Sequence, residues 1–381
     1  MTEKLPSEGS SEYSRRTFIA AAAGIGTAMV FDPLASWSRH QIDPNVNKIV
    51  ASTIGVDTHN HIDVSLNASE ALTPNVSLSE EMKRSGLSAI CMTFAVDYQK
   101  LTREGEAFER FTNGLNAMDT LLKSNGINRA LNFADINDAH KRNVPIVIQS
   151  VEGGHFLEGK LERLEGAYKR GLRHLGLLHD NDASVPLGDI YTKPATWGGL
   201  TEFGTNVIKE CNRLGILVDL THCSNDTINA ALKVTKDPVL ISHTGLDTQL
   251  GQDANFANMM KPRLISKGQA KIVADAGGVI GVWTHLASSP AEYAKNIRAM
   301  VDVVGIDHVC IGTDTKMTPP IGNNRGRPGE RTNEAWKDQS TGFYYTVVAS
   351  LLQIGFKEEE IGKIGGGNFC RVFNAATNGR H

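Results

Sequence analysis

Residues 55–63 read GVDTHNHID. A valine leads a polar run in which His59 and His61 stand two apart, so on an extended chain both point to the same side. Residues 54–61 therefore read as a short strand carrying two imidazoles at its C-terminal end. The pattern returns along the chain as apolar runs of β character, most of them closing on a histidine or a carboxylate. Ala89–Val96, Val144–Glu152, His174–His179, Ile216–His222, Val239–His243, Val279–His285 and His308–Asp314 join Ile54–His61 to make eight such runs.

Helical patterns fill the intervals: Phe108–Ser124, Leu161–Arg170, Leu200–Leu214, Ser224–Thr235, Ser266–Ala276 and Pro290–Val304. In Leu200–Leu214 the apolar positions Phe203, Val207, Ile208, Cys211 and Leu214 keep the helix period. Strands alternating with helices imply a parallel sheet. Eight repeats of that unit predict an α/β fold of the (β/α)8 TIM-barrel type. A doubly wound open sheet is the alternative, but it would carry a phosphate-binding glycine fingerprint after the first strand. None stands there, and Gly365-Gly366-Gly367 follow a helical pattern instead. The Pro-, Gly- and Asn-rich segment 318–334 reads as a mobile surface or lid loop.

The 381 residues are 40% hydrophobic and 21% charged, with a net charge of −3. That near-neutral balance gives no footprint for nucleic acid. Five scattered cysteines without a CxxC pair indicate neither a disulfide framework nor a thiolate metal site. At the N-terminus, SEYSRRTFIAAAAGIGTAMVF (11–31) sets Arg15-Arg16 before a short, weakly apolar stretch. This is the pattern of a twin-arginine export signal, and the stretch is short for a bilayer span. Residues 1–45 are accordingly read as export signal and linker, and residues 46–381 as the catalytic barrel. The expected location is periplasmic or otherwise extracytoplasmic.

The active site of such a barrel lies at the C-terminal ends of its strands. Six of the eight runs end in histidine or carboxylate: His59 and His61; Glu152, with His155 beyond it; His179 with Asp180; Asp219 with His222; His243; and Asp314. A lone histidine at a strand end is an ordinary loop residue; six such ends at one barrel face are a constellation. Imidazole and carboxylate suit zinc, and a carboxylate can bridge two ions. His59, His61, Glu152, His222, His243 and Asp314 suffice for two divalent ions. His285 closes a less regular run and is left outside the site. No G-x-S-x-G elbow occurs, and Cys223, next to His222, should face outward from the barrel.

At these residues the sequence resembles the renal (membrane) dipeptidase family of the amidohydrolase superfamily, over roughly residues 53–376. The matching pieces are VDTHNHID, SVEGGHFLEG, GLRHLGLLHDN, PVLISHTG, GIDHVCIGTD, GGGNFCRVF and, most specific, the segment 198–224. The resemblance implies a zinc-dependent dipeptidase in which a metal-bridging hydroxide attacks the peptide carbonyl. It implies that Glu152 bridges the metals, that His222 and His243 complete one site, and that His59 holds the other. Asp314 would handle the proton, His179 would contact the scissile carbonyl, and Arg263 would bind the substrate carboxylate. The expected partners are a small peptide substrate, the twin-arginine machinery and a second copy of the chain in a homodimer. Two departures stand out: His59-Asn60-His61 replaces the family's H-x-D, and Thr315-Lys316-Met317 replaces an aromatic–Asp–Gly segment. They keep open a related amidohydrolase acting on N-acyl amino acids or lactones, and a non-catalytic periplasmic protein that binds metal or peptide.

Overall fold

The computed structural model describes residues 42–67, 77–319 and 329–378. The export segment with Arg15 and Arg16 lies outside these described residues. Eight parallel strands form the barrel: β1 (Val56–His61), β2 (Ala89–Thr93), β3 (Ile146–Glu152), β4 (Leu172–Gly176), β5 (Leu217–Asp219), β6 (Leu240–Thr244), β7 (Val279–Val282) and β8 (Val309–Ile311). Each pairs with the next, and β8 returns to β1 through Ile311 and Asp57, which closes the sheet. Two short parallel strands flank it, Asn128–Arg129 beside β3 and Thr315–Lys316 beside the end of β1.

Seven strands read as apolar because both their faces are covered, by the barrel interior and by helices. β1 is different: VDTHNH has one aliphatic residue yet is buried along almost its whole length. Its polar groups are matched inside the barrel. Thr58 Oγ1 donates to the carbonyls of Ser242 (2.7 Å) and Ile311 (3.0 Å). Asp57 accepts from the backbone N–H (2.8 Å) and Oγ1 (2.6 Å) of Thr313, and from Asn60 Nδ2 (2.8 Å). This crossing layer is tight. A Cβ on Gly312 would lie 1.7 Å from the Ser242 carbonyl oxygen, and one on Gly281 2.0 Å from it.

The helices Glu106–Asn125, Glu162–Lys169, Glu202–Leu214, Asn225–Val234, Lys267–Asp275 and Pro290–Val304 occupy the predicted intervals. Their starts are chemically marked: Thr201, Ser224, Ser266 and Ser289 each accept a backbone N–H through the side chain. The chain is already helical at Pro44–Ser52, where Val46, Ile49 and Val50 are buried. Below the strands, Phe369 and Phe373 of the helix Asn368–Asn378 join Val56, Cys91, Leu217 and Cys310 in a core that plugs the barrel bottom. The late glycines serve this contact, since a Cβ on Gly366 would come within 2.3 Å of the Ile54 carbonyl oxygen. Of the loop 318–334, residues 320–328 lie outside the described residues. Its flanks are partly anchored in the core: Thr318 and Thr332 are buried, and Thr332 Oγ1 accepts from Asn60 Nδ2 at 2.8 Å. Among the described residues no helix is long and apolar enough to cross a membrane.

Candidate metal centre

The strands end sooner than their apolar runs suggested, so several site residues sit on the turns beyond them. His179 follows β4, which ends at Gly176; His222 follows β5, which ends at Asp219; and Asp314 follows β8, which ends at Ile311. His222 (φ 67°) and Asp314 (φ 55°) adopt left-handed backbone conformations, which non-glycine residues hold only under constraint and which concentrate at functional sites.

These turns bring the predicted side chains together. Nε2 of His59 lies 3.1 Å from Nε2 of His61, which lies 3.0 Å from Asp314 Oδ1. The ring of His243 lies against that of His59, centroids 3.9 Å apart, and its Nε2 is 3.3 Å from Nε2 of His222, which lies 2.9 Å from Glu152 Oε1. Glu152 stands between the two groups. Its Oε1 is 3.5 Å from His59 Nε2 and 3.6 Å from His243 Nε2, and its Oε2 is 3.3 Å from His179 Nε2 and 3.9 Å from His61 Nε2.

The outward nitrogens are held by oxygens. Nδ1 of His61 meets Tyr98 Oη (2.7 Å), Nδ1 of His222 meets Tyr191 Oη (2.9 Å) and Asp180 Oδ1 (3.2 Å), and Nδ1 of His243 meets Ser242 Oγ (2.9 Å). Such partners on the outer nitrogen orient an imidazole that ligates through the inner one. Glu152 Oε2 is buried and has no hydrogen-bond partner among the described residues, a costly state for a carboxylate oxygen unless a cation meets it. Donor atoms of His59, Glu152 and His243 lie within 4.8 Å of one another, and so do those of His59, His61 and Asp314, and of Glu152, His179 and His222. Nitrogen and carboxylate donors in this arrangement fit a divalent ion of the zinc type.

The electrostatics agree. Burial opposes ionisation of Glu152, yet the imidazoles of His179, His59 and His222 hold it well below the usual carboxylate range. Desolvation likewise opposes ionisation of Asp314, which His243, His285 and His61 hold low. Burial keeps His59 neutral well below the usual imidazole range and lowers His243 to about 4. His222 moves the other way: burial opposes its charge, but Asp180 and Glu152 raise it to about 10.

A cavity of about 180 Å³ opens over the centre, walled by Tyr98, His179, Tyr191, Met260, Arg263 and Trp283. Arg263 is thus placed at the cavity, with Nη2 on Asp180 Oδ2 at 2.8 Å. His285, expected outside the site, is at it: Nε2 lies 2.9 Å from Asp314 Oδ2. β7 stops at Val282, so His285 stands on the turn beyond it rather than on the strand. Cys223 is 4% exposed within the apolar core, where burial pushes its thiol far up. Asp57 braces the backbone of the centre, accepting from the N–H groups of His59 and Thr313. Asp63 pairs with Lys316 at 3.1 Å. Sequence reasoning missed Tyr191, Asp97 and Tyr98. The last two stand immediately after Val96, the end of the second apolar run, so the strand-end rule extended by one residue finds Asp97.

Comparison with known proteins places this geometry. A family model described as membrane dipeptidase (Peptidase family M19) matches residues 44–381. Dipeptidase 3 of Homo sapiens is 32% identical over 230 residues, covering 58% of this chain and 43% of that protein. Dipeptidase 3 of Mus musculus is 30% identical over 230 residues, with 58% and 43% covered. The matched region is thus less than half the length of these curated relatives. Among solved structures, an amidohydrolase from Pseudomonas aeruginosa has a TM-score of 0.71 at 22% identity, covering 87% of this chain and 99% of that one. A metallopeptidase from Rhodobacter sphaeroides, solved with a phosphinate mimic of the dipeptide L-Ala-D-Ala, has a TM-score of 0.63 at 17% identity, covering 85% and 99%. Both share the barrel fold.

Proposed function

Because this chain belongs to the membrane dipeptidase family, we propose that it is a divalent-metal hydrolase of dipeptides, loaded with two zinc ions. The observation that carries this reading is Glu152, a buried carboxylate flanked by His59, His61 and Asp314 on one side and by His222 and His243 on the other. Zinc bound by these residues would act as a Lewis acid, polarising a carbonyl and acidifying water.

The chain's own groups supply the rest. Asp314 has one carboxylate oxygen toward His61 and the other toward His285. It is the exposed edge of the centre, with 21% of its side chain accessible, and so is placed to take a proton from the attacking water and return it to the leaving amine. His179 presents Nε2 to the cavity beside Glu152, where the substrate's carbonyl oxygen would collect charge. Arg263 brings a planar guanidinium fork to the cavity wall, suited to a carboxylate terminus. Tyr98, 58% exposed as a residue with its hydroxyl on His61, shields one side of the mouth.

The test is an assay of zinc-loaded protein against L-L and L-D dipeptides, beside N-acyl amino acids and lactones. Hydrolysis of dipeptides with two zinc ions per chain is expected. Dipeptides left intact by protein of confirmed metal content would overturn the reading.

We infer further that the protein is exported folded by the twin-arginine route to the periplasm. The support is Ser14-Arg15-Arg16-Thr17-Phe18-Ile19 ahead of a short apolar stretch. Changing Arg15 and Arg16 together to lysine should retain the protein in the cytoplasm on fractionation; unchanged export would refute it.

A further inference from the structure

Asp97 has no part in the reaction just described, yet it is fastened to one of its histidines. It is 2% exposed, and its Oδ1 accepts from Nδ1–H of His179 at 2.6 Å. Its other oxygen accepts from Asn181 Nδ2 at 3.0 Å and from the Asn181 backbone N–H at 3.3 Å. Nε2 of His155 approaches to 3.6 Å, but its hydrogen bond goes to the Asn181 carbonyl at 2.8 Å. The two carboxylate oxygens are therefore divided, Oδ1 for His179 and Oδ2 for the Asn181 turn.

An ionised carboxylate only accepts, so it fixes which nitrogen of His179 is turned outward and keeps a proton there. The ring is flanked by Tyr98 and His222, both roughly perpendicular to it, with centroids at 5.6 Å and 4.8 Å. Neither neighbour distinguishes Nδ1 from Nε2. A half-turn of the ring would take Nε2 away from Glu152 Oε2, now 3.3 Å distant, and out of the cavity.

We propose that Asp97 is the positioning residue of His179: its carboxylate holds Nδ1–H outward, so that every contact and proton exchange with substrate passes through Nε2. The proposal rests on the hydrolytic reading of the same site. Asp97 acts through the ring and touches no reacting atom. Asp97→Asn keeps the shape but cannot serve both neighbours. With its amide oxygen toward His179, its NH2 meets the N–H donors of Asn181; with the oxygen toward Asn181, it faces His179 Nδ1–H with a donor.

The test is a double-mutant cycle in zinc-loaded protein with Asp97→Asn, His179→Ala and the pair. Alongside it, ¹⁵N spectra of histidine-labelled wild type and Asp97→Asn report which ring nitrogen of His179 carries the proton. Asp97→Asn should lower kcat by ~10–100-fold with zinc content and KM held. The same change on the His179→Ala background should cost nothing more. The wild-type spectrum should show His179 protonated at Nδ1, and that signature should be lost or mixed in Asp97→Asn. An equal loss on both backgrounds, no loss on either, or a wild-type ring protonated at Nε2 alone would overturn the proposal. The spectra need no substrate, so a wild type that cleaves no dipeptide would sink the dipeptidase reading and leave the Asp97–His179 pairing to be judged separately.

Discussion

His61 sits where an imidazole and two carboxylates converge, with His59 at 3.1 Å, Asp314 at 3.0 Å and Glu152 at 3.9 Å. Removing it deletes one donor without opening the core, because its side chain is at the rim, 14% exposed. His61→Ala should therefore fold normally, lose roughly half its metal, and fall by ~100-fold or more in kcat/KM; elemental analysis and steady-state rates check both. The protons of the site make a second prediction. His222 is raised to about 10, so between pH 6 and 8 the metal-free protein holds a proton on a nitrogen that a metal must have. Binding displaces that proton, and because, against burial, Asp314 and Glu152 also raise His61, the apparent zinc affinity should rise at least ~tenfold per pH unit over this window. His243, lowered to about 4, is already neutral there and adds no slope. Chelator competition at several pH values measures this, and a flat profile would show that metal binding displaces no proton from His222.

Among the elements, the strands were legible wherever burial on both faces produced an apolar run, and the helices wherever one face was apolar and the other wet. β1 was legible for another reason: its histidines announced it although its composition does not look like a buried strand. What escaped was set by contacts distant in sequence. Asp97, one residue past the second run, reaches His179 82 residues on, and Thr332 is buried where Asn60, 272 residues earlier, reaches it; no local pattern encodes either pairing. His285 was misplaced because its strand stops at Val282 and the following turn carries it back to Asp314. The interior crossing of β1, β6, β7 and β8 was equally invisible, since glycines at 281 and 312 look like any others in an apolar run. Gly312→Ala should drive a methyl into the Ser242 carbonyl. The expected destabilisation is ~3 kcal/mol or more, read as a lower urea midpoint; a loss under ~1 kcal/mol would mean that the layer gives way.

At the scale of the molecule, the barrel is closed at one end by the ligand turns and at the other by aromatic side chains from a helix. Phe373, fully buried, stands in the lower core with Phe369 at a ring distance of 5.6 Å. Phe373→Ala should cost ~3–5 kcal/mol while leaving the metal content of the protein that still folds unchanged, since the cavity forms at the opposite end. Denaturant titration and elemental analysis together would distinguish a loosened base from a damaged centre.

His61 ends the first strand and Asp314 stands just past the last; the two strands are neighbours in the barrel, and the two residues are 253 apart along the chain. An ion gripped by both is a reversible cross-link around a very long loop, the same topological constraint that a disulfide imposes on an unfolded chain. The five cysteines are free and buried, and contribute no such staple. Metal loss should therefore be felt as a shortened lifetime of the closed ring, with the first and last strands parting at their seam. Unfolding in a fixed concentration of urea should accelerate when a chelator is added, and the acceleration should vanish in a chain whose Asp314 has been replaced.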